Sequence, residues 1–252
     1  HGIPVIEDTA QACGGTFKGK HLGSFGTMGI FSFDPVKTIT TGEGGMVVTD
    51  DEALYINCAE YHDHGHDHNP DLDRGLESRR FIGFNYRMGE LQGAIGLAQL
   101  AKLDKIIAQQ RQHKAAIKAA LEKVKGVSFR DIPDPSGDTA TFLGFFLPDG
   151  ETTRAFNDVL AKENAGAIYF KNNTWHLFSK WEHLNGALTL CRTGWPFKRD
   201  GQGEDLSFPS DSLPKSEAIF DRLLVYPIPI KMADDRLNTI VGAIKKAASV
   251  VC

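Results

Sequence analysis

FSFDPVKTITTGEGGMVV, residues 31–48, sets one lysine among small, hydroxyl-bearing and apolar residues. Ser32 stands five residues before Lys37, and the glycines of TTGEGG begin five after it. Lysines usually face solvent, yet this one reads as boxed in by its own turn, with no carboxylate at the spacing of a helical ion pair. Burial disfavours the charged form of a lysine. A neutral amine is a nucleophile that forms a Schiff base with a carbonyl.

Working outward, the chain of 252 residues is long enough for one large core or two small ones. It is 41% hydrophobic and 24% charged, the balance of a globular protein. The net charge of −4 argues against a nucleic-acid surface, which needs clustered Lys and Arg. No apolar run approaches a membrane span, and the amino end lacks a signal-peptide pattern. Cys13, Cys58, Cys191 and Cys252 have neither disulfide-framework nor zinc spacing, so a reducing cytoplasm is expected. HGIPVIED opens the chain with what reads as a buried parallel strand. A domain rarely starts on its central strand, so the chain is expected to be the later part of a longer protein.

Strands are expected at 4–7, 29–33, 46–49, 142–147 and 167–170, with an extended run at 223–230. Asp50-Asp51 caps a helix over 52–61. Apolar residues at roughly helical spacing predict one helix over 87–124, about 57 Å long at 1.5 Å per residue, bridging two lobes and stopped by Gly126. Further helices are expected at 152–164, after Leu213-Pro214, and over the closing ADDRLNTIVGAIKKAASVV. Residues 62–80 and 171–212 read as irregular. Strands alternating with helices make the chain α/β.

Pyridoxal phosphate (PLP) is the cofactor whose needs match Lys37: an amine for the aldehyde, an acid beside the pyridinium nitrogen, and donors for the phosphate. Asp8 ends the first strand, in the crevice where α/β folds bind ligands. Gln11 stands within reach of a ring hydroxyl and Ser32 within reach of a phosphate. The glycines of TTGEGG let backbone pass close to a flat ligand. Each residue has a plainer role when taken singly: Lys37 as a strand-end lysine, Asp8 as a helix cap, Ser32 as a hydroxyl bonded to backbone. The PLP reading rests on their coincidence.

EDTAQACGGTFKGKHLGSFGTMGIFSFDPVKTITTGEGGMVVTDD at 7–51 resembles the central signature of the DegT/DnrJ sugar aminotransferases, which are PLP enzymes of fold type I. GFNYRMGELQGAIGLAQLAKLD at 83–104 and the tail at 213–244 resemble that family's later signatures. The resemblance implies a mostly parallel sheet in a large lobe and a smaller α+β carboxyl-terminal lobe. It divides the chain into 1–112, the later part of the large PLP-binding domain, and 113–252, the small domain. It also implies that Lys37 is the Schiff-base lysine and general acid/base, that Asp8 pairs with the pyridinium nitrogen, that Gln11 contacts the ring hydroxyl and that Ser32 binds phosphate. Asn85 would reach the phosphate of a neighbouring subunit in a homodimer. Lysine rather than histidine at position 37 favours transamination over the family's dehydrations. Family members carry a long preceding segment that supplies a phosphate-gripping turn and a ring-stacking aromatic residue. Asp34 stands where many relatives have histidine, with no role assigned.

L-glutamate is the implied amino donor and an oxo-sugar the acceptor. Overall likeness favours the subgroup that aminates a 3,8-dideoxy-8-oxo-octulosonate of the bacterial envelope. A nucleotide-linked 3- or 4-ketosugar is the alternative. YHDHGHDHNPD at 61–71 invites a metal-dependent hydrolase built on His62, His64, His66 and His68. Gly65 and Pro70 break regular structure there, and no metal is expected; His64 is instead a candidate sugar contact. A non-catalytic regulatory relative is a further alternative. In NNTWHLFSKWEHL, 172–184, Trp175 and His176 are candidate acceptor contacts, weighed evenly against core packing. Arg79-Arg80 and Lys198-Arg199 are candidates for holding an anionic substrate.

Overall fold

A computed structural model describes residues 1–73, 75–199 and 203–252. It divides into two compact units. One comprises 1–112, 132–141 and 229–231, and the other 113–131, 142–228 and 232–252. The architecture is α/β, as expected.

The first unit holds a three-stranded sheet of β1 (Ile6–Asp8), β4 (Met28–Ser32) and β5 (Gly45–Val48), in the order β1-β4-β5. β1 runs parallel to β4, with Asp8 opposite Ile30, and β5 runs antiparallel to β4, with Gly45 opposite Ser32. Between β1 and β4 lies a hairpin that sequence reading missed, β2 (Thr16–Phe17) and β3 (Lys20–His21). Lys18 and Gly19 turn it at φ of 51° and 81°, the left-handed pair that a tight two-residue hairpin demands. The apolar residues of β1 and β5 are less covered than their pattern predicts: Ile6 is 63% and Met46 49% exposed. Among the described residues, β1 and β5 are not covered on both faces as a central parallel strand is.

Helix α1 (Glu52–Tyr61) starts where expected, with the Asp51 carboxylate accepting the Leu54 N–H at 3.0 Å. The single long helix expected over 87–124 is two: α2 (Glu90–Leu100) and α3 (Leu103–Leu121). The Lys102 N–H bonds back only three residues, to the Gln99 carbonyl, so the ladder steps at 101–102. The apolar pattern carries the same slip, since Ala98 to Leu103 is five residues where a continuous stripe needs three or four. The chain leaves α3 at Leu121, and Gly126, at φ 81°, lies beyond in the turn that follows.

The second unit has a four-stranded antiparallel sheet in the order β6-β7-β9-β8, made of β6 (Ser128–Phe129), β7 (Phe142–Phe146), β8 (Ile168–Tyr169) and β9 (Leu223–Pro227). Helix α4 (Gly150–Lys162) opens on Asp149, whose carboxylate accepts the Thr152 N–H at 2.7 Å. Short helices α5 (Glu182–Asn185) and α6 (Pro214–Phe220) follow, and α7 (Asp234–Val251) closes the chain. Ile240, Ala243, Ile244 and Ala247 recur at helical spacing on the buried face of α7. They join Ile117, Leu121, Phe145, Phe156, Leu160, Leu224 and Tyr226 in one core. The Tyr226 hydroxyl donates to the Ala165 carbonyl at 2.6 Å, and burial pushes this phenol up.

Phe156 has no exposed surface and meets Phe145 edge-on at 6.4 Å between ring centres. Phe156→Ala is expected to cost about 3–5 kcal/mol of unfolding free energy, read as a lowered urea midpoint.

Candidate active site

Parallel pairing puts the carboxyl ends of β1 and β4 side by side, with Asp8 ending the first and Ser32 the second. The pairing continues one residue past Asp8, where the Thr9 N–H donates to the Ile30 carbonyl at 3.0 Å. The Asp8 side chain is fixed only locally, accepting the Ala10 N–H at 3.1 Å, and the residue is exposed. Gln11 lies in the turn after β1 and is also exposed.

Glu7, one residue earlier, does the structural work at this edge. Its carboxylate accepts the backbone N–H groups of Gly23 at 2.7 Å and of Phe25 and Gly26 at 2.5 Å. These bonds, Gly26 foremost, hold the Glu7 carboxyl below its ordinary value, against the opposing pull of desolvation. They also tie β1 to the turn that feeds β4.

Beyond β4 the chain makes the turn that carries Lys37. The Phe33 carbonyl accepts from the Thr41 N–H at 3.0 Å and the Thr40 hydroxyl at 3.1 Å, while the Phe33 N–H donates to the Gly44 carbonyl at 2.8 Å. Ser32 Oγ accepts the Asp34 N–H at 3.5 Å. The Asp34 carbonyl accepts the Lys37 N–H at 3.2 Å. Gly42 and Gly44 take φ of 85° and 157°, and a side chain at Gly44 would press on Thr41 Oγ1 at 2.6 Å.

Lys37 is covered, its side chain 17% exposed, as the sequence suggested. It does have a carboxylate partner, contrary to expectation. Lys37 Nζ lies 3.8 Å from Asp34 Oδ2, three residues earlier in the same turn. The i,i+3 spacing is present in FDPVK and is one that a helix also pairs, so Asp34 was overlooked and not concealed, although Asp34-Pro35 begins a turn.

The histidine loop is more ordered than its composition predicts. Asp63 bridges Asn85 and His66 bridges Arg79, two antiparallel contacts that lay 61–68 against 79–86. Gly65 is required, because a side chain there would overlap the Phe81 carbonyl. Asp63 Oδ1 meets His64 Nδ1 at 3.0 Å and Arg87 Nη1 at 3.2 Å. The His64 bond first, then Arg87 and the other histidines, hold the Asp63 carboxyl low despite desolvation. Asp63, His64 and His66 each bring a ligand atom within 4.8 Å of the others. His62 does not join them, its Nδ1 meeting the Ala59 carbonyl at 2.5 Å. His66 lies between Glu77, 2.7 Å from Nδ1, and Arg79, 3.3 Å from Nε2. Arg87 meets Asp63, and Arg79 meets His66, on the same cluster. Arg80 is committed to Glu60 at 2.7 Å and to Asn57 at 3.0 Å. Exposed Asn85 accepts from Arg87 Nε at 3.2 Å.

In the second unit, Thr174, Trp175, His176, Lys180, Trp181, Glu182 and His183 line an open cavity of about 470 Å³. Asn173 Oδ1 accepts the N–H groups of Trp175 at 2.9 Å and His176 at 3.0 Å, holding the loop while the Trp175 ring stands 81% exposed. Trp175 therefore does not pack in the core. Trp181 Nε1 donates to the Trp175 carbonyl at 2.9 Å, and its ring stacks on His183. His176 stacks on Phe170. Lys180 is a member of this cavity that sequence reading did not single out.

An α/β sheet whose carboxyl edge offers a carboxylate and a hydroxyl on neighbouring strands, followed by a covered lysine on a glycine-rich turn, has the donor set that PLP needs. Its fold is that of the fold-type I PLP-dependent aminotransferases. The chain belongs to the DegT/DnrJ/EryC1/StrS aminotransferase family, whose sequence profile matches residues 1–199. It is 46% identical over 113 residues to GDP-perosamine synthase of Escherichia coli O157:H7, a match covering 43% of this chain and 28% of that protein. An aminotransferase structure from Psychrobacter cryohalolentis superposes with a TM-score of 0.74 at 25% identity, covering 100% of this chain and 63% of that one. A Streptococcus pneumoniae protein designated a sugar aminotransferase, solved in its PLP form, gives a TM-score of 0.73 at 19% identity over 99% of this chain and 59% of its own. The chain thus spans about three-fifths of the length of these solved structures. Among the described residues, no helix is long and apolar enough to cross a membrane.

A carboxyl held low by the fold stabilises it above the unfolded value and stops doing so as pH falls through the folded value. Glu7 follows that sign, with an ordinary value of 4.5. Glu7→Gln is expected to lower the thermal midpoint at pH 7, and the gap from wild type should close as the pH is taken well below 4.5. A gap unchanged in acid would show that Glu7 is not the clasp.

Proposed function

We propose that the protein is a PLP-dependent aminotransferase that moves an amino group from L-glutamate to the carbonyl of a nucleotide-linked ketosugar. The observation that carries this reading is the carboxyl edge of β1 and β4, where Asp8 and Ser32 end neighbouring parallel strands and the Lys37 turn follows. When bound, the cofactor supplies an exchangeable carbonyl carbon and an electron-withdrawing ring.

The chain's own residues then divide the work. Lys37 would hold the cofactor through its amine and would serve as the base for the α-proton of the donor. Asp8 would face the ring nitrogen and favour its protonated form. Gln11 would donate to the ring hydroxyl and Ser32 to the phosphate. Asn85 serves the phosphate of a neighbouring subunit in a homodimer. His64 in the first unit and, separately, Trp175 and His176 in the second would be candidate sugar contacts: an indole face suits the C–H face of a pyranose, and imidazoles suit its hydroxyls. A cytoplasmic location fits four thiols without a disulfide.

Among acceptors, the likeness to GDP-perosamine synthase supports a nucleotide-linked sugar. The octulosonate expected from sequence draws no support from these likenesses. The hydrolase built on His62–His68 is set aside, since His62 bonds elsewhere and Arg79 and Arg87 hold the cluster.

The protein, expressed from its complete gene and supplied with PLP, is expected to absorb near the visible edge, and borohydride should bleach that band. Peptide mass mapping should then find a pyridoxyl group on Lys37, and Lys37→Ala should show neither band nor adduct. An adduct elsewhere overturns the assignment, while an adduct on Lys37 with no glutamate-driven bleaching makes the protein a non-catalytic relative.

A further inference from the structure

We propose that Asp34 is a positioning residue for Lys37, a latch that holds the free ammonium inside its own turn until an aldehyde takes the amine. The inference rests on the reading of Lys37 as the amine that binds PLP. Its basis is the division of labour between the two carboxylate oxygens. Asp34 Oδ1 accepts the Val36 N–H at 2.8 Å and so builds the turn. Asp34 Oδ2 lies 3.8 Å from Lys37 Nζ.

Both side chains are partly covered, 17% exposed for Lys37 and 35% for Asp34, so solvent competes incompletely for the pair. The Asp34 N–H and carbonyl are engaged in the same loop, by Ser32 Oγ at 3.5 Å and the Lys37 N–H at 3.2 Å. The carboxylate itself is tied to the turn by the Oδ1 bond, so swinging it away would break the Val36 contact. Capture of the aldehyde requires the lysine to leave this partner. The ammonium gives one proton to solvent, the amine nitrogen bonds to the aldehyde carbon, and the aldehyde oxygen departs as water. Asp34 also repels the anionic phosphate of an incoming cofactor, so the latch slows capture twice over.

Asp34→Asn separates the two tasks, because an asparagine oxygen still accepts the Val36 N–H while the charge is gone. Cofactor-free protein is mixed with PLP, and adduct growth on Lys37 is followed by rapid borohydride quenching and peptide mass. Asp34→Asn is expected to capture PLP about three- to fivefold faster than wild type, the scale of a partly exposed ion pair. Raising salt should speed wild type and leave Asp34→Asn little changed. A merely structural aspartate predicts the opposite sign, since a damaged turn slows capture. Acetic anhydride labelling of Lys37, followed in parallel, needs no cofactor. If wild type takes no PLP at Lys37 but Asp34→Asn still acetylates faster there, the functional reading fails and the latch stands. Equal or slower labelling in Asp34→Asn by both reagents overturns the latch.

Discussion

Parallel pairing of β1 with β4 is the constraint on which the candidate site depends. It sets two strand ends at one edge of a sheet and fixes Asp8 beside Ile30. Parallel strands need a crossover between them, and here the connection is a tight hairpin and a turn in place of a long helix. The Glu7 carboxylate, receiving three backbone N–H groups from 23–26, satisfies donors that a turn so placed would otherwise leave to water. One charged side chain thus does what several ladder bonds do elsewhere. The exposed edge of a very short strand keeps its register through this bond set.

The turn carrying Lys37 is organised on the same principle, a few acceptors shared among many donors. The Phe33 carbonyl takes two donors and closes the loop that runs to Thr41, and the Gly44 carbonyl closes it again from the other side. Buried Thr38, Ile39 and Thr41 fill its interior.

Much of this was legible in the sequence. Residues 52–61 and 234–251 carry helix caps or amphipathic spacing and form helices at or near the expected bounds. The runs at 29–33, 46–49 and 142–147 form strands within a residue or so of expectation. The Lys37 stretch reads correctly as a covered lysine. Other features left weaker signals. The break at 101–102 shows only as a five-residue slip in an otherwise helical stripe. The β2–β3 hairpin is announced by a single glycine in FKGK, a turn signal easily lost in strands of two residues. Asp34 stood at a pairing spacing by helical rules too, three residues before Lys37, and was passed over. The order of the histidine loop could not be read at all. It depends on contacts from Glu77, Arg79 and Arg87, eleven to twenty-four residues further along the same chain, which sequence distance conceals.

Adjacent acids on an extended chain point to opposite faces. In β1 this parity sends Glu7 toward the backbone amides of 23–26 and leaves Asp8 on the other side. The two positions are chemically alike and differ by one step along the chain. Deleting or inserting a single residue within Ile6–Asp8 would exchange their faces, so that the clasp would lose its acid and the sheet edge would present the wrong one. Substitution by a similar side chain is a far milder insult at this strand than a shift of frame. Length is therefore held more tightly here than chemical identity.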